Sequence, residues 1–295
     1  MSSGRSLLRT TAVITLLLLV SFTFVATEAA AAEDQMEIYI TPEEKHLPIG
    51  HLVSFLLESK FGLQVQENIQ YPDVGLRKIV NQEGDLFVGL NLPPTREVAW
   101  TYSLDQLCNL GPVYEDVIMG WAVPDYVAED ELGSLADLEK PEVKTRLHRE
   151  VVTYESKDNL VELSKKVMEN NQYLEDYKLV VLREMVASSE LDRAMRNREW
   201  IVMTMKRPSV SYSIRDLRFI KELTNEQSVH LMGRSDLMAN FSSEVTEFLS
   251  RFYLPIGLVN ELVRMHDKDQ DSAARDFVEN HERLVNYWLK GVESL

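Results

Sequence analysis

The 295-residue chain is 45% hydrophobic and 26% charged, an ordinary globular balance with room for one large domain or two modest ones. Its formal net charge of −16 excludes a surface built to neutralise nucleic-acid phosphates, which takes clustered lysine and arginine. The lone cysteine, Cys108, excludes an intramolecular disulfide; it lies in LDQLCNL, an apolar pattern with helical spacing, and reads as a small core residue.

At the amino end, Arg5 and Arg9 precede Thr10–Thr27, 18 residues without a charge, and then Glu28 and Ala29-Ala30-Ala31-Ala32. A positive start, an apolar centre and a small-residue exit predict a signal peptide over 1–32, cleaved near Ala31 or Ala32. The apolar run approaches the length of a membrane anchor, but the alanine-rich exit favours cleavage. No cysteine follows it for lipid attachment, so the mature chain is expected to be exported to the periplasm without a lipid anchor.

Met36–Thr41 reads as a strand, and Lys45–Lys60 as a helix with apolar residues at Leu47, Leu52, Val53, Leu56 and Leu57. Gly62–Gln66 is the next strand, Asp73–Gln82 a short helix ending before Gly84, and Asp85–Leu90 a strand stopped by Pro93-Pro94. Val117–Val123 is another strand, closed by Pro124. The alternation then repeats: strand Glu150–Tyr154, a helix capped by Asp158 or Asn159 and running to Asn170, strand Lys178–Leu182, and a helix capped by Ser188 or Ser189 and running to Arg196. After Gly233 the pattern is helical, with Ser242 or Ser243, Pro255 and Asp271 opening three helices. Strands alternating with helices predict an α/β fold with parallel sheets covered by helices. The grouping suggests two lobes, 33–124 with 234–295 and 125–233, with the chain crossing near Pro124 and returning near Gly233.

The strongest local signal is the apolar run Trp200–Met205, which breaks into Lys206-Arg207-Pro208-Ser209. Ligands in α/β proteins sit beyond the carboxyl ends of strands, so this turn is either a site or an ordinary surface loop. Asp267–Asp271 starts like a calcium loop, but Ser272 and Val278 stand where glycine and glutamate are required. His46, His51, His148, His230, His266 and His281 lack metal-ligand spacing, and neither a nucleophile elbow nor a phosphate loop is present. No metal, cofactor or catalytic residue is expected.

Four stretches taken together resemble the substrate-binding proteins of glycine betaine, proline betaine and choline ABC transporters. They are Asp85-Leu86-Phe87 with Leu92-Pro93-Pro94-Thr95; Leu110-Gly111-Pro112 with Gly120 to Val127; Ser134 to Leu138; and Leu191 to Ala194 through Asp216 to Phe219, with Asn286 to Gly291 at the end. The resemblance implies a two-lobed, venus-flytrap periplasmic-binding-protein fold with a helical C-terminal tail. It also implies capture of a small solute between the lobes and delivery to an ABC permease in the membrane; the chain is expected to be a monomer.

Members of that family hold a quaternary ammonium in a cage of tryptophans, because a cation over an indole face is stabilised. Here the corresponding positions are Glu43, Asn91, Lys206 and Val210, none aromatic. The family's Asp-Pro-Gly-Ala-Gly loop is Glu155-Ser156-Lys157-Asp158-Asn159. By this correspondence the ligand contacts are Glu43, Asn91, Lys157, Asn159, Lys206 and Ser209, and the ligand is a polar or zwitterionic solute rather than a quaternary amine. If Glu43 and Lys206 simply pair with each other, the pocket is degenerate. The alternative role is a non-transport envelope binder that passes ligand or signal to a membrane sensor; an enzyme finds no positive support.

Overall fold

Residues 34–93, 106–156, 159–224 and 228–291 are described by the computed structural model. Strand β1 (Gln35–Ile40) is apolar on both faces: Met36, Ile38 and Ile40 enter one core and Tyr39 another. A central strand covered on both sides must read that way. Helix α1 (Leu47–Phe61) starts with Pro48 in its first turn and ends at Gly62, whose φ of 72° lets its N–H reach the carbonyl of Glu58. Strand β2 (Gln64–Ile69), helix α2 (Pro72–Val80) and strand β3 (Leu86–Leu92) follow.

Next come strands β4 (Leu107–Tyr114) and β5 (Ile118–Pro124), helix α3 (Pro141–Arg146), strand β6 (Glu150–Tyr154), helix α4 (Leu160–Glu169) and strand β7 (Lys178–Leu182). Helix α5 (Glu184–Asn197), strand β8 (Met203–Arg207), the single turn α6 (Val210–Ser213) and strands β9 (Leu217–Thr224) and β10 (Ser228–Arg234) lead into the tail. The tail holds α7 (Leu237–Asn240), α8 (Ser243–Arg251), α9 (Ile256–Lys268), α10 (Ala273–Asn280) and α11 (Glu282–Lys290).

Among the described residues these strands form two five-stranded sheets, ordered β2-β1-β3-β10-β4 and β7-β6-β8-β5-β9. The orders correspond strand for strand. In each sheet four strands run the same way and one against them: β10 is antiparallel to its neighbours β3 and β4, and β5 to its neighbours β8 and β9. Helices α1 and α8 to α11 bury Leu52, Leu56, Phe248, Phe277 and Trp288 in the core on one face of the first sheet. The second sheet has a core on each face, one carrying Leu160, Leu191 and Met205, the other Trp121, Leu138, Val143 and Leu174. This is the two-lobed architecture with a helical C-terminal segment.

Several expectations change in detail. Both sheets are mixed rather than parallel, since the alternating pattern registers only strands joined by helices. Cys108 lies in strand β4, not a helix; the spacing Leu104, Leu107, Cys108 fits a helix locally, but pairing with β10 decides the outcome. Strand Ile118–Pro124 pairs in the second sheet and Ser228–Arg234 in the first, so the chain passes between sheets before β5 and before β10 rather than at Pro124 and Gly233. Ser188 and Ser189 lie inside α5, which starts at Glu184, and the last helix divides at His281.

Candidate ligand-binding site

In each lobe two inner parallel strands end side by side: β1 and β3 in the first, β6 and β8 in the second. Crevices outside such carboxyl ends are where open α/β sheets take ligands. Glu43 lies on the turn after β1, Asn91 near the end of β3, Asn159 at the start of α4 after β6, and Lys206 and Ser209 at the end of β8. The five described candidates therefore occupy four strand ends, two in each lobe; Lys157 lies outside the described residues, as do Pro94 and Thr95 of the family-like segment.

The turn after β1 is built around His46. Its ring is fully buried, and its Nε2 is 3.1 Å from the Tyr114 hydroxyl, also fully buried, at the last residue of β4. Burial, and secondarily the charge of Lys45, holds the His46 pKa well below the usual histidine value; burial, then Glu43, pushes the Tyr114 phenol well above its own. His46 is therefore neutral. Glu43 is half exposed; its carboxylate is 3.4 Å from Lys45 Nζ and 4.0 Å from His46 Nδ1, too far for a hydrogen bond. His46 Nδ1 is buried without a hydrogen-bond partner.

Room for the imidazole comes from Gly89, whose φ is +99°. A Cβ there would stand 2.8 Å from the His46 ring and 3.0 Å from Thr41 Oγ1. The same glycine is a bulge: His230 of β10 pairs with Leu90, while the next residue, Leu231, pairs with Val88. The extra residue resets the side-chain alternation. Leu86 and Val88 enter the α1 core, whereas Leu90 joins Phe87 and Met232 on the α2 side. Asn91 is thereby placed on the α1 face, in register with Val229, which is itself opposite Tyr114. Asn91 Oδ1 is buried and unpartnered.

At the end of β8, alternation puts Lys206 and Arg207 on opposite faces, Arg207 following Met203 and Met205 on theirs. The Arg207 guanidinium lies 5.8 Å from the Phe219 ring centroid, and its Nε is buried without a hydrogen-bond partner. Ser209 caps α6: its hydroxyl donates to the Lys206 carbonyl at 2.8 Å and accepts from the Tyr212 N–H at 3.1 Å. One lone pair is left for a ligand. Val210 packs against the core of the first lobe, and the Ser213 hydroxyl, which donates to the Ser209 carbonyl at 2.7 Å, lies 3.3 Å from Asn260 Oδ1 of α9. The turn after β8 thus rests on the opposite lobe. Asn159 adopts a left-handed conformation, φ 57°, at the amino end of α4, with an exposed side chain that makes no cap. The β3 and β8 ends are followed by cis bonds, Leu92–Pro93 and Arg207–Pro208.

His46 and Arg207 escape the sequence reading. Arg207 stands inside the Lys-Arg-Pro-Ser motif but beside the position chosen by correspondence, and His46 is screened only for metal-ligand spacing. Nothing local announces that Gly89 opens space for His46. A separate cavity of about 570 Å³ opens at the other end of the second sheet, lined by residues including Glu150, Arg193, Glu199 and Trp200. Two of its lining arginines are paired, Arg193 with Glu190 and Glu199, and Arg146 with Glu131 outside the cavity. Among the described residues no group of histidine, cysteine and acidic side chains is arranged to hold a metal ion, and no helix is long and apolar enough to cross a membrane.

Residues 39–280 match the family model described as the substrate binding domain of ABC-type glycine betaine transport systems. No curated protein sequence matches. Solved structures share the fold at low identity. Lactococcal OpuAC, in its closed conformation with glycine betaine, is 18% identical, with 87% of this chain and 99% of that chain covered and a TM-score of 0.61. The glycine betaine/L-proline-binding protein ProX of Borrelia burgdorferi is 19% identical over 86% and 96%, with a TM-score of 0.58. An ABC-transporter choline-binding protein with choline bound is 16% identical over 88% and 92%, also at 0.58.

Proposed function

We propose that this chain, which belongs to the substrate-binding domain family of ABC-type glycine betaine transport systems, is exported, acts as a monomer, and closes its two lobes on a small polar or zwitterionic solute for delivery to its permease. The family is one of binding proteins rather than enzymes. Export follows from the signal-peptide pattern of residues 1–32, and lobe closure follows from the passage of the chain between sheets on both sides of β5 to β9.

The observation that carries the choice of ligand is the chemistry at the four strand ends. Glu43, Asn91, Asn159, Lys206 and Ser209 stand there without an aromatic face among them, and Lys157, which lies outside the described residues, adds a charge to the candidate set. A trimethylammonium group offers no hydrogen and is held by aromatic rings; carboxylates, amides and ammonium groups hold a solute that hydrogen-bonds. The test is a thermal-shift screen of the chain from Glu33 onward against betaines, choline, amino acids, hydroxy acids, and small sulfonates and phosphonates. A ligand at 100 times its dissociation constant adds about 2.7 kcal/mol of stability. Stabilisation by a hydrogen-bonding solute, weakened by Lys206→Ala and Asn91→Ala, is expected. Stabilisation by betaine or choline alone defeats this choice of ligand, and silence across the panel defeats the transport reading in favour of an envelope sensor.

A further inference from the structure

We propose that His46 Nδ1, Asn91 Oδ1 and Arg207 Nε form a buried selector for a small acid that carries its own N–H or O–H donor. The inference rests on the reading of this chain as a solute-binding protein and deepens it.

The three atoms share two properties: each is buried, and each lacks a hydrogen-bond partner. Roughly 90% or more of buried polar groups in native proteins are paired, so a group of unpaired ones asks for a missing complement. Their placement supplies the reason. Asn91 is opposite Val229, Val229 is opposite Tyr114, and Tyr114 holds His46. Tyr114 is also the last residue before the passage to the second sheet, where Ile118 is opposite Arg207. Two inter-strand steps span about 10 Å. Asn91 and His46 thus belong to strand ends of the first lobe and Arg207 to a strand end of the second, with only the short passage from Tyr114 to Ile118 between the two sheets.

Their polarity can be assigned. The Tyr114 hydroxyl has His46 Nε2 as its partner, so a buried O–H donor is satisfied only if it donates to Nε2. The proton of the neutral ring is then on Nδ1, which becomes a donor. Arg207 Nε is a donor by chemistry, and Asn91 Oδ1 an acceptor. Two donors and one acceptor are complementary to an acidic group joined to an N–H or O–H: an amino acid or a hydroxy acid. Glycine betaine has the acid but no donor, and would leave Asn91 Oδ1 unpaired. Leaving one buried acceptor unpaired costs about ten- to a hundredfold in affinity. Gly89 is part of the device, since its bulge both seats His46 and puts Asn91 on the same face.

The experiment is calorimetry on the exported protein with glycine, N-methylglycine, N,N-dimethylglycine and glycine betaine, beside proline and proline betaine. The carboxylate is constant within each series while the N–H donors fall to zero. The expected result is binding that survives until the last N–H is lost and then falls at least tenfold. In Asn91→Leu that drop should disappear, while Arg207→Gln should weaken every member alike. Tighter binding of the betaines overturns the selector and leaves solute capture intact. Failure of every member to bind also overturns it, and the capture reading then stands or falls separately on the wider thermal-shift panel.

Discussion

Arg234 Nη1 lies 2.8 Å from Asp85 Oδ1, a buried ion pair between residues 149 apart in the chain. Asp85 Oδ2 accepts the Glu37 N–H at 2.8 Å, and Arg234 Nε lies 3.0 Å from Asp236. The aspartate of the family-like Asp-Leu-Phe segment therefore joins β1, β3 and β10 at the end of the sheet remote from the candidate site. Removing one partner of such a pair strands the other charge. Asp85→Ala should lower unfolding free energy by about 3–5 kcal/mol, read as a shift in urea midpoint. The double variant Asp85→Leu/Arg234→Met should recover much of that loss; equal loss in both variants would sink the explanation.

Gly89→Ala should cost about 2 kcal/mol or more, because it imposes both a side chain at positive φ and a clash with His46. Combining it with His46→Ala should return part of that loss, since the steric component then vanishes. Strictly additive urea midpoints would show that the contact with the ring is immaterial.

His46 makes stability depend on pH with a definite sign. Its folded pKa lies below the unfolded value of about 6.5. The unfolded chain therefore takes up a proton first on acidification. The stabilisation is complete above pH 6.5 and declines below it by about 1.4 kcal/mol per pH unit until the folded pKa is reached. Urea titrations at pH 7.5 and 5.5 should show this decline, and His46→Gln should have a shallower one. Identical slopes would refute the assignment.

In the second lobe the Trp121 indole N–H donates to Ser164 Oγ at 3.0 Å, and Ser164 lies 3.1 Å from Thr204 Oγ1, all three residues fully buried. Ser164→Ala leaves the indole unpaired and should cost about 1–3 kcal/mol. Calorimetric unfolding gives the magnitude, and altered Trp121 fluorescence locates it. An unchanged melting temperature would mean that this chain of bonds contributes nothing.

How much of this was legible depended on how local the determining interactions were. Ser242 caps α8 through its own side chain, accepting the Val245 N–H, and Pro255 opens α9; both are visible within four residues. Strands β1, β6 and β7 carry dense apolar or β-branched runs. Strand β4 does not show in the sequence because its identity lies in β10, a partner far along the chain, and the antiparallel pairings of β10 and β5 leave no βα rhythm to detect. For the candidate site, correspondence with a family picks residues that lie at four strand ends. The bulge at Gly89 and the buried contact between His46 and Tyr114 depend on side chains meeting from three separate strands and turns, and no spacing encodes that.

The two sheets differ in how their strands are spread along the chain. All five strands of the second come from one uninterrupted stretch, Ile118–Thr224, whereas the first lacks its fourth strand, β10, until that stretch has passed. Among the described residues strand β4 pairs with β10 alone, so a chain emerging amino end first carries β4 unpaired and β3 with an open edge for more than a hundred residues. An open edge of this kind is where chains associate wrongly. The inserted lobe can therefore complete itself while its host is still waiting, and the host depends during that interval on whatever shields nascent chains. Pulsed hydrogen exchange during refolding would show this as early protection of β6 and β8 and late protection of β3 and β4.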